Sequence, residues 1–462
     1  MVPAAPTLRD CVESSAAERF LWDRAASIRV SHLRHGTALG GRCSALAGRS
    51  VIIATSSQLA AALALIELDG VARRLTILPP DTSAEHIGEL VARAEADAVV
   101  VDEATPANSA FDLLQRVVCV PALASANSVA LPRTQTEWLL LTSGTSGVPK
   151  LVAHTHASLV APIAAAKPSD VTPVWATFYD IRRYGGLQIF LRAMVGGTSL
   201  VLSSAGEPIA DHLSRLAQHG VTHLTGTPSH WRRALMSPEI HKITPRYARL
   251  SGEIADQALL DSLRAMFPEA GVGHAFASTE AGVAFEVNDG LAGFPASFVA
   301  QVRNGVEMKV VDSSLRIRSP RTASRYIGDN QPKLFDAEGF VDTGDMVELH
   351  GDRYGFAGRK GGIINVGGQK VHPEEIEAVI NRHPQVRMSL VRPRKNPVTG
   401  AVVIADVVLQ CEGIRTGAEA EVSDAILAHC RAALPRHKVP AAIKFVPSLD
   451  VAATGKLARR HG

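Results

Sequence analysis

Between residue 50 and about residue 205, short apolar runs rich in β-branched side chains alternate with longer stretches whose apolar positions recur at helical spacing. Parallel strands joined by crossover helices produce that rhythm, so an α/β body is expected. Residues 51–54 read as a buried strand, the alanine-rich stretch 58–68 as a helix and 75–78 as the next strand. Ser83 opens a helix in which Ile87, Leu90, Val91 and Ala94 share a face, with Thr82 and Glu85 spaced as a capping box. Residues 98–101, 138–141, 198–202 and 221–224 continue the strands, and the one at 138–141 ends in a loop of Gly, Ser and Thr.

A second pattern begins after a Gly- and Asp-rich stretch at about 340–360. Pro373 sits where a first helical turn tolerates proline, Glu374 and Glu375 complement the helix dipole, and Ile376, Val379 and Ile380 form one apolar face. Strand-like runs at 389–391 and 402–409, then a helix near 422–434, complete a small α+β domain of roughly 100 residues.

Composition agrees with two domains. The 462 residues exceed what one hydrophobic core serves, roughly 250–300, and 46% hydrophobic with 20% charged residues is a globular balance. Lys and Arg number 48 against 45 Asp and Glu, a net charge of +3 without a basic block, so nucleic acid is not an expected partner. Cys11, Cys43, Cys119, Cys411 and Cys430 are widely spaced and contain no C-x-x-C pair, which points to neither a disulfide framework nor a zinc cluster. Arg9, Asp10 and Glu13 stand where a signal peptide would be apolar, and the most apolar region, 51–71, is broken by Ser56, Ser57, Gln58, Glu67 and Asp69. The expectation is a cytoplasmic protein with no membrane span.

The chemistry concentrates first at Thr142, Ser143, Gly144, Thr145, Ser146, Gly147 and Lys150. Glycines let backbone N–H groups close around an anion, while hydroxyls and an ammonium add donors. The spacing is not that of G-x-x-x-x-G-K-[ST], and Leu151 stands where that motif carries a hydroxyl. Taken alone, the segment reads as an ordinary polar loop between a strand and a helix.

Further segments change that reading. The sequence strongly resembles the adenylate-forming superfamily of acyl-CoA synthetases, nonribosomal-peptide adenylation domains and luciferases, most of all its acyl- or aryl-CoA ligases. The family loop T-S-G-T-T-G-x-P-K is matched over 142–150 with only Ser146 changed. The aromatic-G-x-T-E motif is matched at Phe276, Ser278, Thr279 and Glu280, with Ala277 in place of glycine. T-G-D appears at Thr343, Gly344 and Asp345, G-R at Gly358 and Arg359, a segment beginning with Gly367 and Gly368 runs through Glu377, and the C-terminal G-K is Gly455 and Lys456. The motifs stand in family order.

The resemblance implies a large N-terminal ATP- and acid-binding domain, residues 1–359, of parallel-type sheets with crossover helices. It also implies a small, mobile C-terminal domain, residues 360–462, that carries the catalytic lysine. A carboxylic acid would attack the α-phosphate of ATP, pyrophosphate would leave, and the acyl-adenylate would pass its acyl group to coenzyme A. Residues 142–150 would cradle the leaving phosphates, Phe276 would lie against adenine beside Ala277 and Ser278, and Thr279 would contact the α-phosphate. Glu280 would help hold Mg²⁺, Asp345 would accept the ribose hydroxyls, and Arg359 would steady ribose and phosphate. Lys456 would stabilise charge developing at the α-phosphate. Gly252, in a Ser-Gly-acid turn with Ser251 and Glu253, would lie near the adenine and acyl pocket, and Gly367 and Gly368 would line the thiol tunnel.

Each residue also has a plain alternative: Phe276 as core, Asp345 and Arg359 as a pair with each other, Lys456 as a solvated charge. His154 and His156 lack a third ligand and read as polar neighbours of the phosphate loop. Where the family hinge is commonly Asp or Lys, this chain has Gly361 followed by Gly362. The acyl-pocket segment departs further: Asp180 could meet an amine, Arg182 or Arg183 a second carboxylate, or all three could form a solvated charge cluster. The acceptor alternatives are a carrier-protein phosphopantetheine or an amine, amino-acid adenylation remains open, and a third reading is a catalytically silent nucleotide-binding module.

Overall fold

A computed structural model describes residues 6–13, 18–125, 132–142, 148–163, 172–329, 331–397, 400–410, 419–452 and 454–459. The first sheet has seven strands. Ser50–Ile53, Arg74–Ile77, Ala98–Val101 and Gln115–Val118 run parallel, β1 (Glu137–Thr142) joins them in parallel, and β2 (Lys150–Thr155) returns antiparallel to β1. The short strand Arg325–Ile327 closes that edge against β2.

The second sheet has eight strands. Its β3 (Val174–Thr177), β4 (His223–Gly226), β5 (Tyr247–Ser251) and β6 (Gly271–Ser278) lie parallel in that order, with β7 (Gly282–Val287) antiparallel at the edge. The helix Gln58–Leu68 falls where its alanine-rich run predicts, and all 11 of its residues are buried, nine of them in the core that it shares with strands of both sheets and Gln58 and Glu67 in hydrogen bonds. A helix whose apolar residues run round its whole circumference has no solvent face to spare.

The patterning missed a third, five-stranded antiparallel sheet that contains β8 (Val341–His350) and β9 (Arg353–Arg359). Two of its other strands turn through Asp312 and Ser313, both at left-handed φ (51° and 60°), so the hairpin carries no glycine signal.

Three local expectations change. The helix near residue 84 is Ala84–Arg93 with Ser83 as N-cap and no capping box. Thr82 instead folds its hydroxyl and its N–H back onto the Pro79 carbonyl, 2.7 and 3.1 Å away. The strand expected at 221–224 begins two residues later, because the Val221 N–H closes the preceding helix on Leu216 O. The Gly/Ser/Thr loop joins two antiparallel strands, not a strand and a helix.

After Arg359 the chain builds a separate core around Val371, Ile376, Val391, Val403 and Ile426. It consists of the hairpin Ile364–Val366/Gln369–Val371, two helices, Pro373–Ile380 and Glu419–Ala433, and a three-stranded sheet. Pro373 occupies the first helical turn and two glutamates follow it, as the sequence indicates. Among the described residues no helix is long and apolar enough to cross a membrane.

Candidate active site

Parallel strands leave their carboxyl ends open wherever neighbouring connections diverge, and ligands settle there. β4, β5 and β6 end at Gly226, Ser251 and Ser278. Beyond β6 the chain turns through Thr279 and Glu280, and the third sheet faces that turn across a cleft of about 380 Å³. Ser278, Glu280 and Tyr326 line one part of the cleft, and Asp342, Thr343, Gly344 and Arg359 the other. A larger hollow of about 590 Å³ lies at the opposite end of β6, beside Gly271, and contains none of the motif residues.

Asp345 and Arg359 are direct cross-strand partners on β8 and β9, and the Arg359 Nε–H donates to Asp345 Oδ1 at 3.1 Å. Thr343 braces the pair by accepting from the Asp345 N–H through Oγ1 at 3.1 Å and from Arg359 through its carbonyl at 3.2 Å. Desolvation raises the Asp345 pKa, against the pull of Arg359 and of Lys456. Arg359 remains largely exposed, so the pair leaves much of the guanidinium open.

Thr142 and Lys150 are register partners at the neck of the β1–β2 hairpin. Ser143, Gly144, Thr145, Ser146 and Gly147 lie outside the described residues. The Lys150 Nζ stands 5.0 Å over the Tyr326 ring, and the Tyr326 hydroxyl donates to Glu280 Oε1 at 3.4 Å. Burial, then the Glu280 charge, pushes the Tyr326 hydroxyl up to about 12. Tyr326 thus connects two motifs although it belongs to neither. His154, fully buried on β2, donates through Nε2 to the Thr279 carbonyl at 2.7 Å and meets Ser158 Oγ at 3.1 Å through Nδ1. Desolvation takes its pKa down to about 4, so the ring is neutral at pH 7, and with both nitrogens engaged it serves as a strut between β2 and the Thr279 turn.

Lys456 arrives from the C-terminal segment. Thr227 Oγ1 donates to the Gly455 carbonyl at 2.5 Å, and the Leu457 N–H donates to Glu253 Oε1 at 2.8 Å. A Cβ on Gly252 would stand 3.4 Å from Lys456 Cε, ordinary contact that leaves the lysine stem lying along this turn. Lys456 keeps exposed surface. Desolvation first and Arg359 next lower its pKa, while Glu253 and Asp345 oppose them.

Phe276 stacks on Phe285 (5.6 Å, 16°) and Phe356 (5.3 Å, 10°), so it is the half-exposed end of an aromatic cluster, with a β-bulge between it and Ala277. Gly367 and Gly368 form the turn of a small-domain hairpin, with nothing within 4 Å of where a Gly368 Cβ would lie. Gly361 has equally open surroundings and ordinary negative φ. Arg182 is not solvated. It is buried and fully engaged, by Asp180 through two bonds of 2.8 and 2.6 Å and by the Thr55 and Ser56 carbonyls. Arg183 pairs with Asp81 at 2.5 Å.

A chain of this build, with a cleft at the end of β6 and a small second domain, falls in the class described as AMP-binding enzymes. The family described as AMP-binding enzyme matches residues 53–323, its C-terminal domain matches residues 375–456, and the chain belongs to that family. The chain is 26% identical over 273 residues to a 2-succinylbenzoate–CoA ligase of Salmonella typhimurium, across 58% of this chain and 57% of that one. It is 27% identical over 401 residues to 4-coumarate–CoA ligase 2 of Oryza sativa subsp. japonica, across 78% and 67%. It thus spans little more than half the length of the first of these relatives. A solved benzoate CoA ligase from Burkholderia xenovorans LB400 shares the fold with a TM-score of 0.81, at 20% identity and 97% coverage of both chains.

Proposed function

We propose that the chain activates a carboxylic acid with ATP as an acyl-adenylate and passes the acyl group to the thiol of coenzyme A. One observation carries this reading. Lys456, from outside the large domain's sheets, is held by both flanking peptide groups beside the Asp345–Arg359 pair. An ammonium there stabilises charge that builds as the carboxylate oxygen attacks phosphorus and pyrophosphate departs.

The other roles follow from residue chemistry. Thr142 and Lys150, with Ser143, Gly144, Thr145, Ser146 and Gly147 between them, would receive the β- and γ-phosphates. Asp345 would take the ribose hydroxyls and Arg359 would steady ribose and phosphate. Phe276, Ala277 and Ser278 would line the adenine side, Gly252 would admit the lysine stem, and Thr279 would meet the α-phosphate. Among the described residues no group of three or more His, Cys, Asp or Glu could hold a metal. One carboxylate, Glu280, suits Mg²⁺, a hard cation that commonly takes one or two protein oxygens and completes its shell with phosphate and water. Bound there, Mg²⁺ would neutralise phosphate charge.

The domain boundary proposed is after Arg359, with the small domain turning about 360–362 so that Gly367 and Gly368 reach the thiol. The compartment proposed is the cytoplasm. Incubation of an acid library with ATP, Mg²⁺ and one of three acceptors (coenzyme A, a phosphopantetheinylated carrier protein, simple amines) tests the reading. Pyrophosphate release with thioester formation on coenzyme A is expected. Transfer only to a carrier or an amine would overturn the choice of acceptor, and no pyrophosphate with any acid would overturn the reaction.

A further inference from the structure

Glu253 follows a glycine at left-handed φ (+88°) in the turn after β5, and its carboxylate does two things at once. It accepts from Ser229, through the backbone N–H at 2.9 Å and Oγ at 3.0 Å, in the first turn of α1 (Pro228–Leu235), where a helix dipole favours negative charge. Its Oε1 also accepts the Leu457 N–H at 2.8 Å. On the other side of Lys456, Thr227 Oγ1 holds the Gly455 carbonyl at 2.5 Å, and Thr227 is the N-cap of the same helix.

The peptide group before Lys456 is therefore bonded to the N-cap of that helix, and the one after it to Glu253, which is itself anchored on the helix's first turn. From its own side the segment is tied back by Arg459, which donates to Glu377 at 2.9 and 2.6 Å. Two bonds to consecutive peptide planes fix the direction in which the residue between them projects, and a carboxylate acceptor makes the stronger kind. We infer that Glu253 is a positioning residue for the acid-activating step: it aims Lys456 by holding the peptide N–H that follows it, and it lets go when the small domain turns for thiol capture. The inference rests on the function proposed above.

In Glu253→Gln the side chain retains one acceptor oxygen where two are used, and it sets an NH₂ against an N–H donor. The expected result is a fall in kcat for acid-dependent exchange of labelled pyrophosphate into ATP, on the order of 10- to 100-fold for one charge-assisted bond. KM for ATP and acid, and thioester formation from supplied acyl-adenylate, should be unchanged. Thr227→Val, which loses the companion bond, should show the same split and gives the readout if Glu253→Gln folds poorly. Exchange at the wild-type rate, or equal loss in both half-reactions of the folded protein, overturns the inference. Lys456→Ala is run alongside. If it too exchanges normally, Lys456 does not carry the step and the inference falls with it; no exchange by the wild-type protein with any acid removes the proposed function itself, whereas loss of exchange in Lys456→Ala beside normal exchange in Glu253→Gln removes only the role of Glu253.

Discussion

Gly455→Ala puts a methyl group where the structure has none to spare. Gly455 has φ +75°, and a Cβ there would overlap Cε1 of His230 and lie 2.6 and 2.8 Å from its two nitrogens. The ring is not free to move, because it stacks on Phe178 at 5.4 Å, meets Tyr179 edge-on at 5.9 Å and accepts the Thr227 N–H at 3.2 Å. The segment carrying Lys456 must lift instead. It then loses the neutral bond from Thr227 and the charge-assisted bond to Glu253, together about 2–4 kcal/mol, or roughly 30- to 1,000-fold in the docked population. Left-handed φ costs a non-glycine residue a further ~1–2 kcal/mol. Gly455 is buried only at this contact, and lifting the segment leaves the hydrophobic side chains of both cores in place, so thermal stability should hold. Single-turnover acyl-adenylate formation, measured by acid quench, should fall by that factor while thioester formation from supplied adenylate persists. A variant that adenylates at the wild-type rate, or whose melting temperature drops by several degrees, refutes the reasoning.

The lowered pKa of Lys456 predicts that the adenylation rate declines with rising pH at a value below the ordinary lysine 10.5, and that Lys456→Arg moves this limb upward; an unmoved limb contradicts the assignment. His154 is neutral in the fold, with its pKa near 4 against 6.5 for a free ring, so an unfolded chain binds a proton that the folded one refuses. Its contribution is complete above pH 6.5 and shrinks as pH falls toward 4, by roughly 3 kcal/mol in all. Urea denaturation at pH 7 and pH 4.5 should therefore show a smaller acid loss in His154→Gln than in wild type, and equal losses would count against the strut. Arg182→Met strands Asp180 beside buried carbonyls and should destabilise the large domain by about 3–5 kcal/mol in urea without changing the acid preferred. A changed preference would show that Arg182 does touch the acid.

The sequence was most legible where one chain segment decides its own structure. The strand Ala98–Val101 and the helix Gln58–Leu68 lie on the residues that the pattern marks, because a β-branched run and an alanine-rich run each bury completely. The pairing of Asp345 with Arg359 was foreseeable as an alternative, since T-G-D and G-R are close enough to form one hairpin. What stayed hidden depends on distant partners. Tyr326 joins Glu280 and Lys150 from an unmarked three-residue strand, and His154 reaches Thr279 across 125 positions. Glu253 meets Leu457 across 204. Arg182 looked like a solvated charge because its acceptors, the Thr55 and Ser56 carbonyls, come from more than 120 residues earlier. The third sheet was missed for a related reason: its strands are half-buried and polar, and their pairing, not their composition, makes the sheet.

Acid-dependent exchange of labelled pyrophosphate into ATP tests the central claim most directly, because it reads bond-making at the α-phosphate without any acceptor present. Wild-type protein should catalyse exchange with at least one carboxylic acid, and Lys456→Ala should lower it on the order of 100- to 1,000-fold while leaving the fold intact. Exchange that ignores the acid, or that survives loss of the Lys456 ammonium, would contradict an enzyme that activates acids through that lysine.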